Sequence, residues 1–261
     1  MAHTLSARAA AEKAHYDEHG FIGHNRRALA RFHHVFDSPN TRRGEALFRD
    51  LILPRAGGGR HVLEIGCGGG SFSRALTRAG AAHVCAVDLS EAQINIARQR
   101  GDDSGRIEFR VHDIEQPIDG TYSLIVGRAV LHHVDYRQVM RRLYETNLEP
   151  GGRMVFMEPL GIGLLSRIHW HFNTSVHTPD ERPFVHKDLR WLRETFPNFA
   201  LYGINYLSYG LAACTSLVLR SPDNLVLIAA DRIDARLHDA LPALRPRCRS
   251  AVFVVDRPVS G

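Results

Sequence analysis

The feature that most constrains this chain is the run Val62-Leu-Glu-Ile-Gly-Cys-Gly-Gly-Gly70. A short apolar segment leads into a cluster of glycines. A helix-compatible segment, Ser71 to Ala79, follows and is ended by Gly80. Glycine takes left-handed backbone conformations without steric cost, so the loop turns tightly and a ligand can approach the main chain. A strand–loop–helix unit of this kind predicts an open parallel sheet whose ligand lies beyond the carboxyl ends of the strands.

The rest of the chain carries the same alternation. Strands are expected at 61–65, 83–87, 107–112, 123–126 and 153–157, with helices at 71–79, 90–100 and 135–148 between them. Ser90 is the expected N-cap of the second helix, with Gln93 as its capping-box partner. Strands that alternate with helices imply right-handed crossovers and a sheet covered on both faces. Before this unit, Ala7 to His19, Asn25 to Val35 and Thr41 to Leu53 are helix-compatible. After it, a helix over 186–196 and strands over 199–206 and 251–255 are expected, the last two separated by a mostly helical insertion. The expected organisation is an N-terminal helical cap at 1–55, a core at 56–160, and substrate-side insertions with the closing strands at 161–261. The fold class is α/β, a Rossmann-like doubly wound, mostly parallel seven-stranded sheet.

Composition narrows the class. With 261 residues, 44% hydrophobic and 23% charged, the chain suits one large domain and argues against disorder. Cys67, Cys85, Cys214 and Cys248 have no regular spacing, which excludes a disulfide scaffold or zinc ribbon and fits a reducing cytoplasm. Met1 to Lys13 lacks an apolar signal-peptide core, so a cytoplasmic location is expected. The net charge of +5 comes from scattered arginines, with Lys13 and Lys187 the two lysines. No dense basic run points to nucleic acid. Residues 195–219 carry no charge and read as a strand followed by a buried or lid helix; a weak membrane contact is the lesser alternative and a transmembrane span is not expected.

The glycine loop has two readings. A dinucleotide fingerprint would start at Gly66 and Gly68, but Ser71 stands where a third glycine is needed. The spacing present is E-x-G-x-G-x-G, with Glu64, Gly66, Gly68 and Gly70. That pattern resembles motif I of the class I S-adenosylmethionine-dependent methyltransferases. Val87-Asp-Leu-Ser90, His112-Asp-Ile-Glu115, Gly127-Arg-Ala-Val-Leu-His-His-Val134 and Leu148-Glu-Pro-Gly-Gly-Arg153 follow in that family's order. The resemblance is close over about 55–160 and loose elsewhere. It implies S-adenosylmethionine as cofactor and a small-molecule acceptor. Asp88, with Leu89 beside it, would hold the ribose diol; Asp113 and Ile114 would meet adenine; Glu64 would act on the methionine end through the loop. Cys67 is a small filler. Tyr16, in His15-Tyr-Asp17, resembles a tyrosine that closes over the donor, with His24 a weaker candidate. Arg128 is read either as lining the donor pocket or as a surface ion pair.

Methyl transfer from a sulfonium needs alignment, exclusion of water and, for some acceptors, a base. His132, His133 and Glu158, at the ends of the fourth and fifth strands, are the catalytic candidates. Trp170 and Phe172 would form a pocket wall. His169, His171, His177 and His186 lack the carboxylate or cysteine spacing of a zinc or iron set, so no metal is expected. Thr178-Pro-Asp-Glu181 reads as a capping box or as part of the pocket. A base-amino nucleic-acid enzyme would carry an Asn/Asp-Pro-Pro-aromatic tetrapeptide where Gly127-Arg-Ala-Val130 stands. The expectation is methyl transfer to an O, N or C atom of a small molecule, in specialised metabolism. The alternatives are a lipid, quinone or RNA acceptor, an NAD-dependent oxidoreductase, and a scaffold that binds the donor without turnover. Oligomeric state is left open.

Overall fold

The computed structural model describes residues 5–102, 104–172 and 181–259, with the side chains of 19–29, 169 and 172 outside that description. Seven strands form one sheet: β1 (His61–Ile65), β2 (His83–Asp88), β3 (Ile107–Val111), β4 (Tyr122–Arg128), β5 (Leu148–Pro159), β6 (Phe199–Ile204) and β7 (Ser250–Asp256). Their order is β3-β2-β1-β4-β5-β7-β6. The first five run parallel, and β7 is antiparallel to both β5 and β6. The order reverses between β1 and β4, which makes that edge the switch point where a crevice opens.

The pattern of the central strands explains the layering. Along β1, β4 and the Met154–Met157 part of β5 nearly every residue is buried and most are apolar, as expected of strands covered on both faces. Alternate residues serve opposite cores. Leu63, Ile125, Phe156 and Phe253 pack with α6 (Tyr136–Arg142) and α8 (His186–Thr195). Val62, Leu124, Val155 and Val254 pack with α3 (Pro39–Ala56), α4 (Ser71–Arg78) and α5 (Glu91–Gln99). Each fully buried side chain of this size contributes about 1.5–3 kcal/mol.

The remaining helices are α1 (Ala7–Arg31), α2 (His33–Phe36), α7 (Leu164–Phe172), α9 (Leu207–Val218) and α10 (Leu225–Ala240). Several bounds differ from expectation. The chain from Ala7 to Arg31 is one continuous helix. Helix α6 gives way to a π-type turn at Leu143–Asn147, and β5 begins at Leu148. Asn147 explains the early exit: its Nδ2 donates to the carbonyls of Ile118 and Gly120, both at 2.8 Å, while Leu148 pairs with Tyr122. Helix α7 has no clear sequence period and was not expected. The uncharged stretch forms the end of α8, strand β6 and helix α9; among the described residues no helix is long and apolar enough to cross a membrane.

The insertion before β7 is anchored by one buried carboxylate. Asp234 on α10 accepts from Asn40 Nδ2 at 3.0 Å, from the backbone of Tyr206, Leu207 and Ser208, and from Ser208 Oγ at 2.7 Å. It thereby caps α9 and ties α3 and α10 to it. Asp234→Ala leaves those donors buried without an acceptor, and we expect a loss of roughly 3 kcal/mol or more in urea unfolding. A change under about 1 kcal/mol would show that this carboxylate is not the anchor.

Candidate functional site

The site is built at the carboxyl ends of β1, β2, β4 and β5. Gly66, Gly68 and Gly70 have φ of 70°, 49° and 71°, the left-handed region that favours glycine. Gly66 and Cys67 donate their N–H groups to the Val87 carbonyl at 2.9 and 3.1 Å, which holds the loop against β2. A Cβ on Gly70 would strike the Phe109 ring at 2.7 Å, and one on Gly66 would meet Val130 at 3.2 Å. A Cβ on Gly68 would meet only the Gln93 amide oxygen, at 3.8 Å. The loop is therefore closed on its protein side and open above Gly68.

Asp88, at the tip of β2, sets this geometry. Its Oδ2 accepts from the Gly68 N–H at 2.8 Å and its Oδ1 from the Ser90 N–H at 2.9 Å. Burial raises its carboxyl above the usual range, and the two backbone donors act against that rise. Each carboxylate oxygen keeps a second lone pair, so the group can still accept from a ligand diol. Open space above Gly68 beside an acceptor of this kind fits an adenosyl ribose. Ser90 is the N-cap of α5 as expected, its Oγ accepting from the Gln93 N–H at 3.2 Å.

Glu64 lies on β1 beneath the loop, 5% exposed, and accepts from Ser73 Oγ. Burial pushes its carboxyl up to about 8. Burial likewise pushes the Cys67 thiol up, consistent with an inert filler. At the tip of β3, Asp113 Oδ1 accepts from the Glu115 N–H at 2.9 Å, and Ile114 is buried in the α6-side core. Leu89 is half-buried between Asp88 and Ser90. Arg128 forms a bidentate pair with Glu45 on α3, both contacts at 2.8 Å, and is about half exposed. This is an ion pair of the kind given as one of the two readings above.

The catalytic candidates meet in one buried cluster. Glu158, at the end of β5, is 1% exposed; its Oε1 accepts from the N–H groups of Val130 and Leu131 at 3.0 and 2.9 Å. Its Oε2 lies 2.7 Å from His132 Nδ1. On the other side, His132 Nε2 lies 3.3 Å from Glu181 Oε1. Burial, the largest influence, opposes the imidazolium, but the two carboxylates outweigh it and raise His132 to about 9. An imidazole held on both nitrogens is not a free base. His133 Nδ1 lies 2.7 Å from Glu12 Oε1, and its ring lies 4.0 Å from that of His132, tilted by 41°. Trp170 of α7 meets His132 edge-on at 6.5 Å. Thr178, Pro179, Asp180 and His177 lie outside the described residues, as do the side chains of His24, His169 and Phe172.

Helix α1 is strapped across these strand tips. Arg8 pairs with Glu115 beyond β3, Glu12 with His133 beyond β4, and Asp17 Oδ1 accepts from Ser90 Oγ at 2.5 Å and the Ala92 N–H at 3.1 Å beyond β2. Tyr16 lies between the two halves of the site: its ring meets His133 at 5.9 Å, and burial, with Glu12, Glu181 and Asp88 nearby, raises its hydroxyl well above the usual range. The sequence offered no signal for Glu12, and for Glu181 a reading as part of a capping box or of the pocket.

A pH prediction follows from Glu64. Its folded value, near 8, exceeds its unfolded value of 4.5, so its contribution to stability is complete below about 4.5 and lost as pH rises through 8. The ligand-free protein is expected to lose more stability between pH 5 and 8.5 than its Glu64→Gln variant does. Parallel slopes in urea unfolding across that range would show that Glu64 is ionised in the fold.

A sequence profile for a methyltransferase domain matches residues 62–152. Curated relatives include a ubiquinone biosynthesis O-methyltransferase of Bordetella avium, 36% identical over 102 residues, covering 38% of this chain and 42% of the relative. Another, of the same description from Acinetobacter baylyi, is 32% identical over 112 residues, 40% of this chain and 47% of the relative. The chain thus spans less than half the length of these relatives. Among solved structures, the N-methyltransferase NodS of Bradyrhizobium japonicum with S-adenosyl-l-homocysteine superposes with TM-score 0.54 at 18% identity, over 85% of this chain and 89% of that one. A phosphoethanolamine N-methyltransferase of Haemonchus contortus gives 0.62 at 17% identity, over 97% and 61%. The [4+2]-cyclase SpnF gives 0.54 at 19%, over 83% and 81%, so the shared fold alone does not fix the reaction. With a methyltransferase domain at residues 62–152 and this strand order around the glycine loop, the chain has the class I S-adenosylmethionine-dependent methyltransferase fold.

Proposed function

We propose that this protein is a methyltransferase that uses S-adenosylmethionine to methylate a small-molecule acceptor. The observation that carries the reading is Asp88 beside the open space over Gly68: a half-buried acceptor with spare lone pairs at the switch point of the sheet. Bound S-adenosylmethionine supplies a methyl group already activated on a sulfonium. Asp88 would take the ribose hydroxyls, and Asp113 with Ile114 would frame the adenine. Gly66, Gly68 and Gly70 keep the loop low enough for the rest of the donor to lie on the main chain. Glu64, held by Ser73, shapes the loop from below rather than touching the reacting atoms. Tyr16 and α1 cover the donor and exclude water. The cluster of His132, His133, Glu12 and Glu181 forms the acceptor end, where a proton is held or taken.

Within this reading, a lipophilic oxygen acceptor of the quinone-precursor kind is supported better than a general specialised metabolite. The curated relatives are O-methyltransferases of ubiquinone biosynthesis over the matched segment. In addition, α7 brings Trp170 to His132 while exposing Leu164, Leu165 and Ile168, and α9 exposes Leu207 and Leu211. The packing of Leu165 against Gly210 joins these faces into an apolar rim near the cluster.

Calorimetry with S-adenosylhomocysteine tests the donor half. The intact chain is expected to bind one equivalent, and Asp88→Ala to weaken binding at least tenfold while remaining folded. No binding by the intact chain would remove the reading. A second assay follows radiolabelled methyl from S-adenosylmethionine to catechol-type and amine acceptors; oxygen methylation is expected, and transfer to amines alone would contradict the acceptor class.

A further inference from the structure

The buried cluster at the ends of β4 and β5 gathers three carboxylates, Glu12, Glu158 and Glu181, around two imidazoles. Their side chains are no more than 10% exposed. Buried charge on this scale needs compensation by protons or by a cation. Glu158 is fully committed: Oε1 accepts two backbone N–H groups and Oε2 faces His132 Nδ1. Glu158 therefore holds the Nδ1 side of His132, and Nε2 faces Glu181. An imidazole oriented by a carboxylate on one nitrogen, with the other nitrogen aimed at an anionic oxygen, is the arrangement that holds metal-ligating histidines in place.

The third donor is adjacent. His132, His133 and Glu181 each offer one ligand atom, and these atoms lie within 4.8 Å of one another. Two ligands of a four-coordinate cation at about 2.0–2.2 Å stand roughly 3.3–3.6 Å apart, and the His132 Nε2 to Glu181 Oε1 distance is 3.3 Å. Both flanks of the cluster are fixed by the fold. The His133 backbone N–H bonds to the Val130 carbonyl at 3.2 Å, within the short 3-10 turn after β4. The segment carrying Glu181 is docked by Arg182 N–H on the His132 carbonyl at 3.4 Å and by Phe184 N–H on the Pro159 carbonyl at 3.0 Å. A cavity of about 320 Å³ reaches His132; Arg8, Arg137, Arg182 and Lys187 line it along with Leu131, Tyr136 and Phe184, and His133 and Glu181 do not border it.

We propose that His132, His133 and Glu181 form a binding site for one divalent cation of the zinc or manganese class, with Glu158 orienting His132 and an open coordination position left for an oxygen of the acceptor. Two imidazoles and one carboxylate suit such cations. A bound cation takes the place of the proton shared between His132 Nε2 and Glu181, and it makes a coordinated hydroxyl more acidic. Spacing in the sequence did not suggest this site, because Glu181 reaches it from a segment far along the chain. The cation site stands on geometry; its role toward the acceptor rests on the methyltransferase reading.

The test titrates the chelator-stripped full chain with Zn²⁺ and, separately, Mn²⁺ by calorimetry, with S-adenosylhomocysteine binding measured in parallel. One equivalent of at least one cation is expected to bind with micromolar or tighter affinity. Glu181→Gln and His133→Gln are each expected to weaken it about tenfold or more, with unchanged far-UV circular dichroism and S-adenosylhomocysteine affinity. Co²⁺ in the same site is expected to give visible ligand-field absorption that His133→Gln abolishes. Absence of stoichiometric binding by both cations overturns the proposal, as does unchanged affinity in either folded variant. Should one variant fail to fold, the other decides. Binding of S-adenosylhomocysteine without a cation overturns the metal site alone; binding of a cation without S-adenosylhomocysteine overturns the donor reading alone.

Discussion

The glycine-loop half of the site, proposed to hold the donor, depends on one carboxylate. Asp88 takes the N–H of Gly68 with one oxygen and that of Ser90 with the other, so the glycine loop after β1 and the start of α5 after β2 are fixed relative to each other. Neither contact forms unless β1 and β2 are in register, and the pairing of Ile65 with Val87 supplies that register. The loop can close this tightly because its glycines take positive φ, and among the described residues a Cβ on Gly68 would meet the Gln93 amide oxygen alone, at 3.8 Å. Local backbone freedom, strand register and a half-buried acceptor thus act together. Asp17 extends the same unit, since it bonds to Ser90 and Ala92 and brings α1 over the crevice.

The His132–His133 cluster, proposed as the acceptor end, is held by different means. Glu158 uses two backbone N–H groups to fix the turn after β4, and with its other oxygen it fixes His132. Helix α1 contributes Glu12, and the segment before α8 contributes Glu181, so the cluster is closed by parts of the chain that meet only in the folded state. A site assembled in this way can change its acceptor by altering α1, α7 or the 181–185 segment without disturbing the donor loop.

The fold was largely legible in the sequence because its signals are local. The apolar runs of β1 and β2, the glycines between β1 and α4, and the Ser90 cap lie within a few residues of what they determine. Asp88, Gly68 and Glu158 were legible for the same reason: each ends a recognisable strand or lies in the loop that follows one. Other features were illegible because they depend on distant partners. Glu12 and Glu181 have no marker of their own beyond a helix-start pattern around the latter. Arg128 pairs with Glu45 on another helix, and the segment that forms α7 carries no clear period in the sequence. The early end of α6 depends on Asn147 reaching the carbonyls of Ile118 and Gly120, which no helical pattern encodes. Asp234 likewise looks like an exposed helix acid until β6 and α9 deliver their backbone donors to it.

The most direct test of the central claim is a crystal structure of the full chain grown with S-adenosylhomocysteine. The ribose hydroxyls are predicted within hydrogen-bond distance of Asp88, with the sulfur turned toward the His132–His133 cluster. A ligand seated away from Asp88, or with its sulfur directed away from that cluster, would contradict this account.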